Sequence, residues 1–368
     1  MGTITQAIAN NLTTGLGGAG GVNFRNIIIN GDMSIAQRGT SETGVGSSTH
    51  LCDRWRFGSS IGLFTISQET DVPTGQGFAT SLKLDCTTAE ASIGDIDDAI
   101  ILTQRVEGQN LQYLKYGTSS AESTTVSFWV KSSKTGTYIL EMYNSNSSRQ
   151  VAKSYTINSA DTWEKKTITY PGDTTGTYDN DNGRSLDFNF WLGAGTFYSS
   201  GTLPTTWQTY ANLDRAVGVV NLADSTANDF YITGVQLEAG TSASDFEFLP
   251  YDINLRRCER YCFVINNNNY AALCNGYYNT TTEVRGGFIT FPTTMRASPT
   301  ITPSGTASNY NIARPGTSNA SGSGLPTATQ ISTNSYELLI TSDSSSTAGY
   351  GTRILALSDA AIKIEAEL

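Results

Sequence analysis

Two stretches of this sequence decide its fold: TTVSFWVK, residues 124–131, and LDFNFWL, residues 186–192. Both alternate between apolar and polar side chains with a period of two, which is typical of a β-strand with one face in a core. The apolar positions are Val126, Phe128, Val130, Leu186, Phe188, Phe190 and Leu192. We expect them to face the interior of a β-sandwich, because an antiparallel sheet buries one face on its core.

Further short strand-like segments, separated by turn residues, recur through residues 23–249. They are Arg54–Gly58, Ser81–Cys86, Ile101–Val106, Tyr138–Tyr143, Val151–Ile157, Glu164–Tyr170, Ala216–Asn221 and Phe230–Leu237. Many short strands at close spacing, with no convincing amphipathic helix among them, indicate a sandwich or jelly roll and exclude βαβ units. The sequence therefore predicts an all-β protein whose larger domain is a jelly roll over residues 23–249.

Residues 250–262 interrupt the strand pattern and predict a short helical linker. Tyr251, Leu255, Cys258 and Cys262 are spaced four, three and four apart, which is a heptad seam. One and a half heptads cannot hold a coiled coil alone, but they can align three chains between two β domains. We therefore expect a homotrimer with Leu255, Cys258 and Cys262 at its interface.

The two ends of the chain differ in character. Residues 263–368 predict a smaller β domain with strands at Tyr270–Tyr277, Gly286–Phe291, Thr300–Thr302, Tyr336–Thr341, Arg353–Leu357 and Ala361–Glu367, and with a long exposed loop at Asn309–Pro326. Residues 1–22 form a separate segment with an apolar stripe of Ile4, Ile8 and Leu12 before a glycine-rich run. Such a short helix needs partners, so this segment is either an attachment point or a frayed terminus.

Composition excludes several classes of function. The net charge is −10 and no run of Lys or Arg occurs, whereas nucleic-acid binding needs a basic face. No stretch is long enough to predict membrane insertion, and MGTITQAIANNL lacks the features of a signal peptide. The five cysteines, Cys52, Cys86, Cys258, Cys262 and Cys274, have no CxxC spacing, so we expect buried thiols rather than disulfides or zinc.

The sequence contains few residue patterns that are typical of catalysis, and we predict that the chain is not an enzyme. His50 is the single histidine, Cys52 two residues away is the candidate nucleophile beside it, and no GxSxG motif surrounds any serine. Paired carboxylates such as Glu141 and Asp187 could support glycoside hydrolysis, but nothing distinguishes them from chance pairs.

The polar faces of the strands at residues 124–131 and 186–192 give a stronger indication of function, namely sugar binding. Trp129 accompanies Lys131 on one strand, and Trp191 accompanies Asp187 and Asn189 on the other. A flat aromatic ring among amides, carboxylates and amines suits a sugar, because the ring stacks on the pyranose and the polar groups bind its hydroxyls. The alternative is that both tryptophans pack under loops or against another subunit. Trp163, Trp207 and Tyr178 are candidates for the rim of the same face.

Two further motifs each allow two interpretations. Asp179-Asn180-Asp181-Asn182-Gly183 resembles the start of a calcium loop but lacks the distant Glu, so Asp179 and Asp181 either bind a structural calcium ion or stand in a solvated turn. No other cofactor is predicted. Tyr277, Tyr278 and the run Asn266–Asn269 suit either a recognition surface or an ordinary strand and turn.

Several stretches resemble one family. They are NFRNIIINGDMSIAQRG at 23–39, DRW at 53–55, GVQLEAG at 234–240, FEFLPY at 246–251, LRRCERY at 255–261, FPTTMRASPT at 291–300 and AEL at 366–368. As a set they resemble phage tail-fibre and receptor-binding proteins, especially those of marine and cyanobacterial phages. The resemblance spans residues 23–368 and implies a carbohydrate-binding-module-like jelly roll followed by a trimeric β tip. It implies no fixed set of sugar-binding residues.

The resemblance implies a virion fibre that binds host surface polysaccharide or lipopolysaccharide, with residues 1–22 attached to other tail or adaptor proteins. Two alternatives stay open. One is a purely structural virion component, such as a head fibre, capsid decoration or tail adaptor. The other is a tailspike that degrades polysaccharide.

Overall fold

The computed structural model of the protein describes residues 24–266, 271–357 and 360–368. The chain divides into two compact units, with the boundary between Tyr251 and Asp252. Both units are built almost entirely from antiparallel strands, which confirms the predicted all-β fold. The apolar stripe of Ile4, Ile8 and Leu12 lies outside the described residues.

The first unit contains thirteen strands in its described part. They are β1 Ser41–Val45, β2 Thr49–His50, β3 Arg56–Ser59, β4 Leu63–Glu69, β5 Ser81–Thr88, β6 Ala99–Glu107, β7 Thr124–Ser132, β8 Gly136–Asn144, β9 Arg149–Ile157, β10 Glu164–Tyr170, β11 Arg184–Ala194, β12 Gln208–Thr209 and β13 Asp229–Ala239. One sheet has six strands in the order β1-β4-β5-β13-β7-β10, and the other has seven in the order β12-β9-β8-β11-β6-β3-β2. A one-turn helix, α1, spans Thr196–Ser199.

The inner faces of the two sheets form the core through the predicted alternation. Phe128 of the six-stranded sheet and Phe190 of the seven-stranded sheet are fully buried, and their rings meet edge to face with centroids 5.1 Å apart. Because side chains alternate along a strand, burial of these positions turns the intervening residues of β7 and β11 outward. The outer faces of the two sheets consequently point in opposite directions.

Residues 24–39, the described part of the opening motif, pack against this core. The amide of Asn30 donates to the carbonyls of Ile35 and Asp53, and its oxygen accepts from the Ile35 amide at 2.9 Å. Gly31 lies against β13, where an added Cβ would stand 2.0 Å from the Val235 carbonyl oxygen. Two motifs far apart in the sequence are therefore in direct contact, and the glycine is required by that close approach.

The strand predictions in this unit fail at a few places. Ala216–Asn221 is not a strand; its apolar residues instead pack in a loop over the seven-stranded sheet. Strands β1, β2, β4 and β12 were not predicted. Strand β1 is mostly exposed, so it lacks the apolar alternation that marks a strand in sequence.

The second unit begins with helix α2, Tyr251–Glu259, and continues with two sheets. Its strands are β14 Cys262–Asn266, β15 Ala271–Tyr278, β16 Glu283–Thr290, β17 Thr300–Pro303, β18 Tyr310–Ala313, β19 Ala320–Ser321, β20 Thr327–Thr329, β21 Ser335–Thr341, β22 Gly351–Ala356 and β23 Ala361–Glu365. The sheet orders are β14-β23-β17 and β19-β18-β22-β15-β16-β21-β20.

The predicted long exposed loop at Asn309–Pro326 is wrong. It contains β18 and β19, and both Tyr310 and Ile312 are fully buried in the core of this unit. The Tyr310 hydroxyl also donates to the Ser304 carbonyl at 2.9 Å. Two short strands among Ser, Gly and Asn residues give too little apolar pattern to be recognised in the sequence.

The predicted trimer seam needs a correction. Cys258 and Cys262 are fully buried in the single chain, so their side chains are not available to a partner chain. The helix also ends at Glu259, and Cys262 begins β14, so the heptad spacing does not continue on one helix. Leu255 is partly exposed and Tyr251 largely exposed, and these two side chains stay available for contact with another copy.

None of the helices in the described ranges has the length and apolar character needed to cross a bilayer.

Candidate functional site

The structure separates the five predicted sugar-binding residues into two sets. Trp129 and Lys131 lie on the outer face of the six-stranded sheet, through β7. Asp187, Asn189 and Trp191 lie on the outer face of the seven-stranded sheet, through β11. Because these faces point away from each other, the two sets cannot form one site.

On the seven-stranded sheet, residues 195–221 form a covering segment over the outer face. Trp191 is fully buried beneath it, with its ring centroid 5.1 Å from that of Tyr198, and Ala216 packs into the same cluster. The prediction that Trp191 stacks on a sugar is therefore wrong: its ring is a packing element. Asp187 and Asn189 are also buried, at 4% and 3% exposure.

Glu141 and Asp187 each form an ion pair with an arginine, and these pairs stabilise the covered face. Arg215, from the covering segment, donates to both Glu141 carboxylate oxygens at 2.8 and 2.9 Å, and Trp191 Nε1 donates to Glu141 at 2.9 Å. Arg184 pairs with Asp187, and burial raises the pKa of the Asp187 carboxyl above its ordinary value. Neither acid faces an open groove, so the pair lacks the geometry that glycoside hydrolysis requires.

The seven-stranded sheet holds an open groove of about 350 Å³ beside β3 and β6, lined by Arg56, Ile101 and Thr103 and by no tryptophan. The six-stranded sheet holds an open groove of about 300 Å³ on its outer face. Trp129 is partly exposed at its floor, directly opposite Lys165 of β10 and Thr233 of β13 in the sheet register. Ser127, Gln76 and Asp245 add polar groups to the lining. We call this the Trp129 groove.

An aromatic cluster forms one wall of the Trp129 groove. The rings of Phe78, Phe246 and Phe248 lie with centroids 4.9 to 5.1 Å apart, and Phe248 is 49% exposed. Gly234 makes room for this wall: its φ is +63°, and a Cβ there would stand 2.5 Å from Phe78 Cζ. A wall and floor of aromatic rings with a few polar groups is the general form of a small-molecule site.

Lys131 does not reach the groove as a ligand contact. Its ammonium pairs with Asp71 and lies 4.1 Å from the ring centroid of Tyr231 and 5.6 Å from that of Trp163. The residue is only 9% exposed. Lys131 therefore holds neighbouring side chains in place, and the role predicted for it is corrected from sugar contact to support.

Of the candidate rim residues, Trp163 alone lies on this face. Its Nε1 donates to Asp71 at 3.0 Å, and its ring meets Tyr231 edge to face. Trp207 and Tyr178 instead pack against Tyr116 elsewhere in the sandwich. Their polar atoms are satisfied within the chain: Trp207 Nε1 donates to the Pro171 carbonyl, and the Tyr178 hydroxyl donates to Asp173.

The proposed calcium ligands lie on an exposed turn. Asp181 accepts from the Gly183 amide at 2.8 Å, and Asp179 accepts from the Asn146 side chain at 2.6 Å. Over the described ranges, no group of three or more His, Cys, Asp and Glu side chains has the arrangement of a metal site. Calcium binding by Asp179 and Asp181 stays a prediction.

The only histidine and its neighbouring cysteine do not make a nucleophilic site. Cys52 is fully buried, and this burial, together with the charge of Asp53, raises the pKa of its thiol far above the ordinary value. A thiol that stays protonated is a poor nucleophile, because the thiolate is the reactive form.

In the second unit, Tyr277 is 45% exposed, whereas Tyr278 is buried and shares a hydrogen bond with Ser342. Only Tyr277 is therefore available for recognition. Most of the Asn266–Asn269 run lies outside the described residues.

Sequence reasoning missed the wall of the groove. Phe246 and Phe248 follow the last strand of the sandwich and carry no strand pattern of their own, and Phe78 precedes β5 in a loop. The alternation Phe246-Glu247-Phe248 was an available signal that the chain lies along a surface there. Glu247 accepts from the backbone amides of Phe24, Arg25 and Asn26, which turns it away from the two rings.

No protein-family model matches this chain, and no curated protein matches it. Similar solved structures include the enzymatically active domain of tailspike protein 4 of bacteriophage CBA120, at 14% identity over 59% of this chain and 22% of that chain, with a TM-score of 0.31. Others are a CBM4 structure (14% identity, 57% and 98% coverage, TM-score 0.29) and TmCBM61 in complex with β-1,4-galactotriose (12%, 59% and 99%, TM-score 0.28). Likeness at this level carries no argument about function.

Proposed function

We propose that this chain is a virion fibre subunit that attaches the particle to a host-cell surface glycan by non-covalent binding in the Trp129 groove. The observation that carries the glycan part is an accessible tryptophan ring on the floor of a groove, bounded by Phe248 and by hydroxyl, amide, amine and carboxylate groups.

The chemistry of the groove matches that of a sugar. A pyranose has one face of C–H bonds, which stacks on an aromatic ring, and a rim of hydroxyls that need hydrogen-bond partners. Trp129 supplies the ring, while Ser127, Gln76, Lys165 and Asp245 supply donors and acceptors around it. Because Trp129 stands on a strand that is paired on both sides, its backbone position is fixed before the ligand arrives, which lowers the cost of binding.

The virion part of the proposal is supported by the resemblance of residues 23–39, 234–240 and 246–261 to phage fibre proteins. In this proposal residues 1–22, with Ile4, Ile8 and Leu12, attach the fibre to the particle. The fibre is a homotrimer, so that three weak sugar sites act together and raise the avidity.

The trimer is tested by the mass of the purified protein in light scattering. We expect the wild-type protein to have the mass of three chains. Leu255→Glu should dissociate this trimer into single chains, because Leu255 retains exposed surface. A wild-type mass of one chain overturns the trimer. An unchanged trimer mass in the Leu255→Glu variant would show that Leu255 is not at the interface.

The glycan site is tested by binding of the purified protein to host-cell polysaccharide and lipopolysaccharide, immobilised separately. Trp129→Ala should lose binding, and Ile96→Ser should keep it, because Ile96 is an exposed apolar residue outside the groove. Equal binding by Trp129→Ala and wild type would falsify the assignment of the groove.

The same preparations separate the alternative functions. Protein that neither adsorbs to host cells nor blocks infection by the phage supports a purely structural virion component. A fall in polysaccharide chain length during incubation, measured by size-exclusion chromatography, supports a degrading tailspike and overturns non-covalent attachment.

A further inference from the structure

A second aromatic ring lies in line with Trp129 on the same face. In the pairing of β10 with β7, Lys165 is opposite Trp129 and Glu164 is opposite Val130. If this register is continued by one residue, Trp163 is opposite Lys131. With a rise of about 6.8 Å per two residues and about 4.8 Å between strands, the Cα atoms of Trp129 and Trp163 are about 8 Å apart.

The ring of Trp163 is held by groups that do not belong to the groove itself. Asp71 accepts from its Nε1 at 3.0 Å, and the Lys131 ammonium, paired with the same Asp71, lies 5.6 Å from its ring centroid. Tyr231 packs against it with centroids 6.2 Å apart. The ring nevertheless stays partly exposed. A ring fixed in this way loses little conformational entropy when a ligand stacks on it.

Lys165 lies next to both rings. It is opposite Trp129 across the strand pair and two residues after Trp163, which immediately precedes β10, so alternation places all three side chains on one face. Lys165 is exposed and forms no ion pair with any residue in the described ranges. Its three ammonium protons are therefore available to hydroxyl or carboxylate oxygens of a ligand that spans the two rings.

We propose that Trp163 is a second stacking subsite and that the site binds an extended stretch of a glycan chain, at least a disaccharide long. This inference rests on the function proposed for the Trp129 groove. With Cα atoms about 8 Å apart on two strands, the two tryptophans form separate platforms, and a single terminal sugar stacks on one of them. A chain segment covers both, and Lys165 binds the oxygens between them.

The experiment uses the host-surface polysaccharide, hydrolysed with mild acid and separated into single sugars, disaccharides and tetrasaccharides. Affinity of the full-length protein for each fraction is measured by isothermal titration calorimetry. For wild type, we expect affinity to rise about tenfold or more from the single sugar to the tetrasaccharide, which is the effect of one added anchor.

Trp163→Ala should abolish this rise and leave the affinity for the single sugar unchanged, while Trp163→Phe should keep most of the rise because a stacking ring remains. Trp129→Ala should lose affinity for every fraction. Tryptophan fluorescence during unfolding checks that each variant is folded.

Three outcomes separate the two levels of the proposal. If the affinity of Trp163→Ala still rises with glycan length while Trp129→Ala loses binding, the second subsite is wrong and the Trp129 groove remains the glycan site. A wild type with no preference for length also overturns the second subsite. If wild type binds no fraction and no intact polysaccharide, both proposals fall together.

Discussion

Strands β7 and β11 each place a tryptophan between polar side chains on the outer face of their sheet. Around Trp191 the face is closed: the covering segment, residues 195–221, lies over it, and Glu141 is held by Arg215. Around Trp129 the face is open, and Phe78, Phe246 and Phe248 form one wall beside it. The same local pattern therefore serves packing on one sheet and offers a binding surface on the other.

The difference shows what a strand pattern can specify. Alternation determines which face a side chain occupies, because successive residues point to opposite sides. It does not determine whether another part of the chain, distant in sequence, covers that face. Trp191 is buried by Tyr198 and Ala216, and nothing in residues 186–192 distinguishes it from Trp129.

Exchange of each tryptophan for alanine should produce opposite results on the two faces. Trp191→Ala leaves a cavity and removes the Nε1 donor to Glu141, so it should lower the free energy of unfolding by about 4 to 5 kcal/mol. Trp129→Ala should lower it by about 1 kcal/mol or less and reduce glycan affinity about tenfold or more.

The measurement is guanidinium unfolding followed by tryptophan fluorescence. All five tryptophans lie in the first unit, so the signal reports on that unit rather than on the second. Equal stability losses for the two variants would mean that the faces do not differ as described.

The covering segment itself is tested at Arg215. Arg215→Ala leaves the fully buried Glu141 carboxylate without its cation, which should cost about 3 to 4 kcal/mol. Glu122→Gln is the matched control, because it breaks an exposed pair with Lys115 and should cost about 1 kcal/mol or less. Unfolding curves that coincide for wild type and Arg215→Ala contradict a structural role for this ion pair.

The sandwich could be predicted because its core strands repeat one simple pattern, and Phe128 and Phe190 meet as the alternation requires. The covering segment could not, since Ala216–Asn221 reads as one more strand until its packing partner is known. The trimer seam failed for a related reason: Cys258 and Cys262 have the spacing of a seam, but they are already buried in the single chain. Apolar spacing indicates that a residue is buried, and it does not say against which part of the protein.

The wall of the open groove is tested at Gly234. Its φ of +63° favours glycine, and an added methyl group would press on Phe78, so Gly234→Ala should cost about 1 to 2 kcal/mol in stability. Displacement of Phe78 should also move Phe248 and weaken glycan binding. Gly218→Ala serves as the control, because its φ of +85° imposes similar strain with no atom within 4 Å of the added Cβ. Similar glycan affinities in the two variants would show that the aromatic wall does not contribute to glycan binding.

The smallest expected effect concerns the support of Trp163. Hydrogen bonds from Lys131 and Trp163 and the charge of Lys83 outweigh partial burial and hold the pKa of Asp71 below its ordinary value. A depressed folded-state pKa stabilises the folded arrangement above the unfolded pKa of about 3.9, and this contribution is lost as the pH falls through the folded value. The part of the affinity that depends on Trp163 should therefore be constant from about pH 7 to about pH 5 and decline only as the pH falls below about 3.9.

Asp71→Asn should weaken tetrasaccharide binding only a few-fold at about pH 7, because the side-chain oxygen can still accept from Trp163 while the charge that holds Lys131 is gone. The variant should also lose the decline that wild type shows at a pH below about 3.9, and Asp85→Asn, which breaks the neighbouring pair with Lys83, should retain it. Titration calorimetry of the two variants at both pH values checks this. The same decline in wild type and Asp71→Asn would show that another group near the groove, not Asp71, controls the second ring of the open face.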